Sequence, residues 1–303
     1  MSRLQQSLDE YLRIRRAFGF KLEREGRCLL RFLDFLEHHG SDHITTPLAI
    51  RWAMASPSGS APSAHTRLRM VRGFAQYLAS HDPRTELPPY EQLPAVSTKR
   101  PTPYIYTENE IGDLMASARS LRGLKGPTYA TLLGLLAATG MRVGEAIGLD
   151  RGDVDWRRKS LIVHQDKRQR SRELILHSTS IAALRAYAAE RDRSLPNPPS
   201  PSFFVSLVGT RLNYKNVHFG FVRLSHQIGL DTRRPRPRLH DLRHTFAVAT
   251  LKRWYRENLD VDARLPTLST YLGHVAPQST YWYLTATPEL LLLAKQRAER
   301  GLL

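Results

Sequence analysis

The sequence predicts a mainly α-helical protein with a small antiparallel β-sheet, divided into two domains. Three observations predict this fold class. Apolar residues recur every three or four positions through most of the 303 residues, which is the spacing of helices. Two short apolar runs, at 161–163 and 174–176, flank a polar stretch in the manner of a β-hairpin. A segment with six prolines, at 81–103, separates a shorter N-terminal part from a longer C-terminal part.

Residues 1–85 are predicted to form a small all-helical domain. Leucine and aromatic residues at helical spacing predict two helices within residues 4–38, with a break or turn near Gly19 and Gly26. The threonines before Pro47 are typical of a helix start, because proline is tolerated in the first turn of a helix. Two further helices are predicted at about 48–54 and 64–79.

Residues 86–105 are predicted to be a stiff, proline-rich linker, and residues 106–303 a second domain. Thr107 and Glu110 have the spacing of a capping box at the start of a helix. Gly140 is expected to end an apolar helix, since glycine readily adopts the conformation that follows a helix. The other predicted helices lie at about 128–139, 181–191, 239–255 and 288–300, the strands at 161–163 and 174–176, and loops at 165–172 and 254–266.

The composition restricts the class of function. The chain has 45 Lys and Arg residues against 28 Asp and Glu residues, a net charge of +17, so DNA or RNA is the expected partner. Charge alone also fits a ribosomal or regulatory protein. There is no apolar run of about 18 residues and no signal-peptide pattern, and we expect a soluble intracellular protein without a membrane partner. The single cysteine, Cys28, excludes an internal disulfide and has no partners at zinc-binding spacing.

Two segments of the second domain carry basic residues suited to contacting a phosphodiester. Arg142 follows the glycine turn at the mouth of a short helix, where its guanidinium can grip a phosphate or pair with Glu145. Lys167 lies in the predicted hairpin loop, where a flexible amine can donate a proton to a leaving oxygen or only contact a phosphate. Taken alone, a solvated surface residue is the simpler interpretation of each.

Two more segments lie nearer the C-terminus. His240 and Arg243 are three positions apart at the start of a helix, so both side chains can face one anion. His244 is interpreted as structural, and no third ligand makes a metal site with His240 and His244. His274 follows a glycine and precedes Tyr283 by nine residues.

Together these segments resemble the tyrosine recombinases, which include phage integrases and Xer-type resolvases. The resemblance rests on the order Arg…Lys…His-x-x-Arg…Leu-Gly-His…Tyr, in the segments ATGMRVGEAIGL, HDLRHTFA and YLGH. It covers residues 107–293 by motif and the whole chain by layout, with a helical core-binding domain before an α+β catalytic domain. Arg243 and His274 are further apart than is usual in that family, which we attribute to the loop at 254–266. This feature and the TYWYLTATPELL ending are similar to recombinases carried by some bacterial transposons.

The resemblance implies a site-specific DNA recombinase of the integrase or transposase type. In that family, two arginines and two histidines hold the scissile phosphate, a tyrosine attacks phosphorus to form a 3′-phosphotyrosine link, and a lysine protonates the leaving 5′ oxygen. The catalytic residues that it implies here are Arg142, Lys167, His240, Arg243, His274 and Tyr283, with Glu145 orienting its neighbours. Tyr281 is a rival nucleophile, but the spacing from His274 favours Tyr283. No metal and no cofactor is expected.

The resemblance also implies partners. These are double-stranded DNA and either further copies of the chain, as a tetramer on paired DNA sites, or sister recombinases, in the bacterial cytoplasm at the nucleoid. The C-terminal helix packs either on its own domain or on a neighbouring protomer. A non-cutting accessory or regulatory protein of the same fold is an alternative, which the six matching catalytic residue types disfavour. A type IB topoisomerase is disfavoured by the short chain, and a basic RNA-binding protein would leave the ordered motifs unexplained.

Overall fold

The chain folds into two compact units, Met1–Arg100 and Pro101–Leu303. The computed structural model describes residues 2–55, 60–95, 102–165, 170–274, 276, 278–285 and 287–301. Within these ranges, no helix combines the length and the apolar character needed to cross a membrane.

The described residues of the first unit form four α-helices: α1 (Arg3–Ala17), α2 (Glu23–His38), α3 (Thr46–Met54) and α4 (Ala61–Leu78). Their apolar faces meet in one core, as the leucine spacing predicts. The fully buried side chains of this core include Leu8, Leu29, Phe32, Leu36, Leu68 and Phe74. Pro47 lies in the first turn of α3, after Thr45 as the N-cap.

The turn between α1 and α2 lies near Gly19, whose φ angle is +83°. Gly26 is instead buried inside α2. A Cβ atom at Gly26 would lie 3.1 Å from the side chain of Leu12 on α1. The prediction that Gly26 marks the break was therefore wrong: this glycine lets the two helices approach closely.

The segment predicted as a linker begins on the first unit. Leu93 is 6% exposed and belongs to the helical core. The guanidinium of Arg72 lies 4.5 Å from the centre of the Tyr90 ring, and His65 Nε2 is hydrogen-bonded to the carbonyl of Pro94 at 2.9 Å. Residues as far as 95 are thus packed against α4, because the apolar Leu93 has a core to enter.

The second unit combines helices with one small sheet. Its described helices are α5 (Glu108–Arg119), α6 (Lys125–Thr139), α7 (Val143–Gly148), α8 (Ser178–Ser194), α9 (Tyr214–Gln227), α10 (Asp241–Arg256), α11 (Val261–Leu272), α12 (Gln278–Tyr281) and α13 (Pro288–Gly301). The strands β1 (Val154–Asp155), β2 (Ser160–Gln165) and β3 (Arg170–Ile175) pair antiparallel in the order β1-β2-β3. The predicted capping box of Thr107 and Glu110 starts α5.

The stretch at 254–266, which we predicted to be a long loop, contains the start of α11. Asp260 caps this helix by accepting a hydrogen bond from the backbone N–H of Ala263 at 3.1 Å. Apolar side chains at helical spacing then enter the core, namely Val261, Leu265 and Leu268. Charged neighbours and an internal proline, Pro266, hid this pattern in the sequence.

Two packed clusters of the second unit adjoin at the ends of three helices. One cluster surrounds α6, and leucines on almost every side of this helix are buried. The other joins α10, α11 and α13 and includes Tyr283 and Leu290. The C-terminal ends of α6 and α11 meet the first turn of α10, where Arg243 donates to the carbonyls of Gly140 and Leu272.

Candidate active site

Arg243 is the most deeply buried arginine of this junction, with 2% of the residue exposed. Its Nη1 donates to the carbonyl of Gly140 at 2.9 Å, and its Nη2 donates to the carbonyl of Leu272 at 2.7 Å. Both carbonyls lie at helix ends, where they have no partner within the helix. The two hydrogen bonds therefore fix the guanidinium and join the ends of α6 and α11 to α10.

Gly140 makes this arrangement possible. It ends α6, as predicted, with a φ angle of +60°. A Cβ atom at this position would lie 2.5 Å from the ring of Phe246 on α10. Only glycine fits both the left-handed backbone and the close approach of α10.

Arg142 follows as the N-cap residue of α7, at the mouth of a helix as predicted. Its side chain is 40% exposed, and Nη2 donates to the carbonyl of Gly273 at 2.9 Å. Its Nη1 donates to Glu145 Oε1 at 2.7 Å, and its backbone N–H donates to Glu145 Oε2 at 2.8 Å. Arg142 thus presents a partly open guanidinium that is already oriented from two sides.

Glu145 also binds a second arginine, Arg172. Nη1 and Nη2 of Arg172 donate to the two oxygens of Glu145 at 3.1 and 2.8 Å, while Nε donates to the carbonyl of Tyr271 at 2.8 Å. The side chains of Arg172 and Glu145 are only 11% and 9% exposed. Burial alone would raise the pKa of Glu145, but the hydrogen bonds from Arg172 and Arg142 outweigh it and hold the pKa below its ordinary value.

Arg172 was assigned to a loop by the sequence analysis, and this was wrong. Strand β3 already includes Arg172, which pairs with Val163 of β2. The polar stretch between the two apolar runs therefore continues the sheet on both sides of 166–169. Lys167, the predicted general acid, falls in that segment and lies outside the described residues.

Tyr283 is 2% exposed and lies in the core cluster formed with α10, α11 and α13. It lies close enough to the Arg243 guanidinium to interact with it electrostatically. The ring of His274 lies 6.0 Å from that of Tyr283, centre to centre, and His274 Nδ1 is hydrogen-bonded to Thr280 Oγ1 at 2.7 Å. Tyr281, the rival nucleophile, is 50% exposed. Of the two tyrosines, Tyr283 is the buried one and lies near Arg243.

The start of α10 is fixed by a buried carboxylate. Asp241 is fully buried and accepts from the backbone N–H of Arg238 at 2.8 Å and from Nη2 of the same arginine at 2.8 Å. His240 precedes it and is partly exposed at the rim of the site. His244, one turn further, packs its ring 4.9 Å from His240 and 5.5 Å from Tyr283. Its side chain is 14% exposed, and its structural role stays a prediction.

The clustered cations shift the histidines toward the neutral form. Burial, with the nearby Arg243 and Arg142, lowers the pKa of His274 to about 3. Burial and the charge of Arg243 also lower the pKa of His240. Burial and the proximity of Arg142 lower the pKa of Arg243 itself to about 10, which leaves it charged at pH 7. The site thus holds the charged guanidiniums of Arg142 and Arg243 beside neutral histidines, while Arg172 is paired with Glu145, and this arrangement favours a bound anion.

The described residues of the site do not form a metal-binding site. Among the residues that the structure describes, no group of three or more His, Cys, Asp or Glu side chains is arranged to hold a metal ion.

Comparison with known proteins identifies the family. The family model described as "Phage integrase family" matches residues 105–289. The chain belongs to the phage integrase family. It is 43% identical over 310 residues to a protein described as an integrase/recombinase, y4rB of Sinorhizobium fredii (strain NBRC 101917 / NGR234), covering 99% of this chain and 98% of that relative. It is 29% identical over 259 residues to the tyrosine recombinase XerC of Corynebacterium glutamicum, covering 85% and 79%.

Solved structures of integrases share the fold. The Tn1549 transposon integrase in complex with transposon right end DNA has a TM-score of 0.69 at 16% identity and covers 99% of both chains. A λ integrase tetramer bound to a Holliday junction has a TM-score of 0.63 at 19% identity, covering 92% of this chain and 76% of that one. Membership places this integrase-family chain among the tyrosine recombinases, a family of DNA strand transferases that carry out site-specific recombination.

The structure brings together most of the residues that the sequence singled out. Those found at one junction are Arg142, Glu145, His240, Arg243, His274 and Tyr283. Arg172 also belongs to the site but was not among the site residues predicted from the sequence. The sequence did contain a pattern that indicates the position of Arg172. Residues two apart on a strand share a face, so Arg172 lies on the same face as Leu174 and Leu176, which are both buried.

Proposed function

We propose that this chain cleaves and rejoins DNA at specific sites, with Tyr283 as the nucleophile. The observation that carries the proposal is the placement of the buried Tyr283 beside the buried Arg243 guanidinium. A phenol held against a fixed cation is placed where a phosphate bound by that cation would meet it. Arg142 and Arg243 donate to the neighbouring carbonyls of Gly273 and Leu272, and the ring of His274 lies 6.0 Å from that of Tyr283.

Arg142 and Arg243 would act as the clamp on the scissile phosphate. Attack on phosphorus increases the negative charge on the nonbridging oxygens, so fixed cations that hold these oxygens lower the barrier. Arg243 is fixed by two backbone carbonyls and Arg142 by Glu145 and a third carbonyl, so little reorganisation is needed when the phosphate binds. The neutral His240 and His274 would each add one N–H donor without adding charge to the site.

The covalent step would exchange one phosphoester bond for another. The phenolic oxygen of Tyr283 forms a bond to phosphorus, its proton is lost to the medium, and the bond to the 5′ oxygen breaks. Lys167, which the sequence places in the hairpin segment, would protonate that leaving oxygen. The 3′-phosphotyrosine retains the energy of the original bond, so a 5′-hydroxyl of the partner strand can reverse the step and seal the DNA.

The substrate would be double-stranded DNA held by phosphate contacts. The net charge of +17 supports this, since a strongly basic surface neutralises phosphates and releases counterions. Rejoining to a different strand requires two DNA sites and therefore several protomers, so we propose a tetramer on paired sites. The λ integrase bound to a Holliday junction is described as a tetramer, and it shares this fold.

Trapping of the covalent adduct tests the proposal. The substrate is element-end DNA with a nick beside the cleavage point, so that a short fragment diffuses away and religation is prevented. The protein is incubated with this DNA without metal, and the products are separated on a denaturing gel. We expect an adduct from the wild type and from Tyr281→Phe but none from Tyr283→Phe. Tight, salt-sensitive binding without any wild-type adduct would contradict cleavage and favour a non-cutting accessory protein.

A further inference from the structure

Arg172 joins three segments of the candidate active site that are far apart in the sequence. It lies on β3, it binds both oxygens of Glu145 on α7, and its Nε donates to the carbonyl of Tyr271 on α11. Two residues beyond Tyr271, the carbonyl of Gly273 accepts from Arg142. One guanidinium therefore holds Glu145 directly, and it also holds the backbone two residues before the carbonyl of Gly273.

Glu145 has no acceptor capacity left for a catalytic role of its own. It receives four N–H groups, two from Arg172 and two from Arg142, and an ionised carboxylate offers about four lone-pair sites. Its place is between the two arginines. Removal of either arginine would leave a buried carboxylate with half of its hydrogen bonds, which favours movement of the carboxylate and of the arginine that remains.

The pair of Arg172 and Glu145 is a poor device for stability alone. Replacing a buried ion pair by apolar side chains of similar volume is often neutral or stabilising, because desolvation offsets the attraction. A planar guanidinium that uses all three of its nitrogens on two fixed partners is instead well suited to setting distances and angles. The side chain of Arg172 is only 11% exposed, which disfavours direct contact with DNA.

We propose that Arg172 is a positioning residue of the strand-cleavage reaction, which holds Glu145 and the end of α11 so that Arg142 is aimed at the scissile phosphate. This inference rests on the proposed function. It predicts that Arg172→Lys binds DNA with nearly unchanged affinity, because the side chain of Arg172 is only 11% exposed. A lysine supplies a point charge without the planar fork, so the rate of adduct formation falls by roughly 100-fold, the scale of loss from a displacement of about 1 Å.

The test compares two substrates that differ only at the scissile phosphate. One is the natural nicked phosphodiester, and the other carries a methylphosphonate, in which a methyl group replaces one charged nonbridging oxygen. A neutral phosphonate needs less charge stabilisation, so loss of Arg142 costs less on it. Single-turnover rates of adduct formation are measured for wild type, Arg142→Ala, Arg172→Lys and the near-isosteric Glu145→Gln. Arg158→Lys is the control, since Arg158 is 70% exposed and pairs only loosely with Glu173 at 3.8 Å.

We expect Arg172→Lys and Glu145→Gln to share the behaviour of Arg142→Ala, with a smaller defect on the methylphosphonate than on the phosphodiester, and Arg158→Lys to match the wild type on both. Equal defects on the two substrates would reveal general loss of structure and overturn the inference, as would an unchanged rate for Arg172→Lys. Should Arg172→Lys fail to fold, Glu145→Gln decides by the same comparison. Absence of any wild-type adduct would overturn the proposed function and this inference together, whereas a wild-type adduct with unaffected variants overturns the inference alone.

Discussion

Substitution of Gly140 by alanine should damage both the stability and the proposed chemistry of the second unit. The φ angle of +60° costs an L-residue roughly 1–2 kcal/mol, and overpacking a dense core typically costs about 1–3 kcal/mol. The new Cβ would lie 2.5 Å from the Phe246 ring, so both costs apply and we expect a loss of about 2–5 kcal/mol. Because the Gly140 carbonyl accepts from Arg243, the displaced backbone should also slow adduct formation.

Gly112→Ala is the matched control for this substitution. Gly112 lies within α5, and a Cβ atom there meets nothing within 4 Å. Alanine is favoured over glycine inside a helix by roughly 1 kcal/mol, so this variant should be as stable as the wild type or more so. Urea unfolding followed by tryptophan fluorescence measures both, since Trp156, Trp254 and Trp282 lie in the second unit. Equal midpoints for the two variants would refute the argument that close packing and a left-handed backbone require glycine at 140.

Three further predictions follow from particular contacts. Leu290 is fully buried and Leu291 is 50% exposed, so Leu290→Ala should lower the free energy of unfolding of the second unit by about 2–5 kcal/mol while Leu291→Ala changes it little, as measured in the same urea titration. Burial lowers the pKa of His244 to about 4, so the unfolded state binds more protons as pH falls below about 6.5. This group alone should lower the free energy of unfolding by on the order of 1–2 kcal/mol between pH 7 and pH 5, and the lowered pKa of His274 adds to the decline. His244→Phe should remove the contribution of His244, as measured in thermal melts at both pH values. The affinity for DNA should fall by about 10³-fold or more between 50 and 200 mM salt if at least six phosphates are contacted. Fluorescence anisotropy measures this dependence of affinity on salt, which should be the same for Tyr283→Phe. A weak dependence on salt would contradict binding through phosphates.

Much of the candidate site could be predicted from local sequence because many of its residues lie at the ends of helices. Glycines that end helices, such as Gly140 and Gly273, leave a visible mark, and both have positive φ angles. The His-x-x-Arg spacing places His240 and Arg243 at the start of one helix, and the structure has α10 beginning there. Capping preferences and the helical period are local rules, so no tertiary information was needed for these features.

The remaining features depend on contacts between distant segments. Arg243 binds carbonyls that are 103 and 29 positions away in the chain, and Arg172 binds a carboxylate 27 positions away. The polarity of Arg172 suggested a loop. A buried arginine in a strand and a solvated arginine in a loop look the same in the sequence, and only the partner of the side chain distinguishes them. The start of α11 was missed for the related reason that its apolar face is interrupted by charged residues and Pro266.

The central claim is that Tyr283 becomes joined to a 3′ phosphate of the DNA, and mass spectrometry of the trapped adduct tests it most directly. Trypsin cleaves after Arg264 and Lys295, so Tyr271, Tyr281 and Tyr283 share one peptide and fragment ions must separate them. After nuclease digestion, the account predicts a nucleotide linked through its 3′ phosphate to Tyr283. Attachment at Tyr281, or through a 5′ phosphate, would contradict the account.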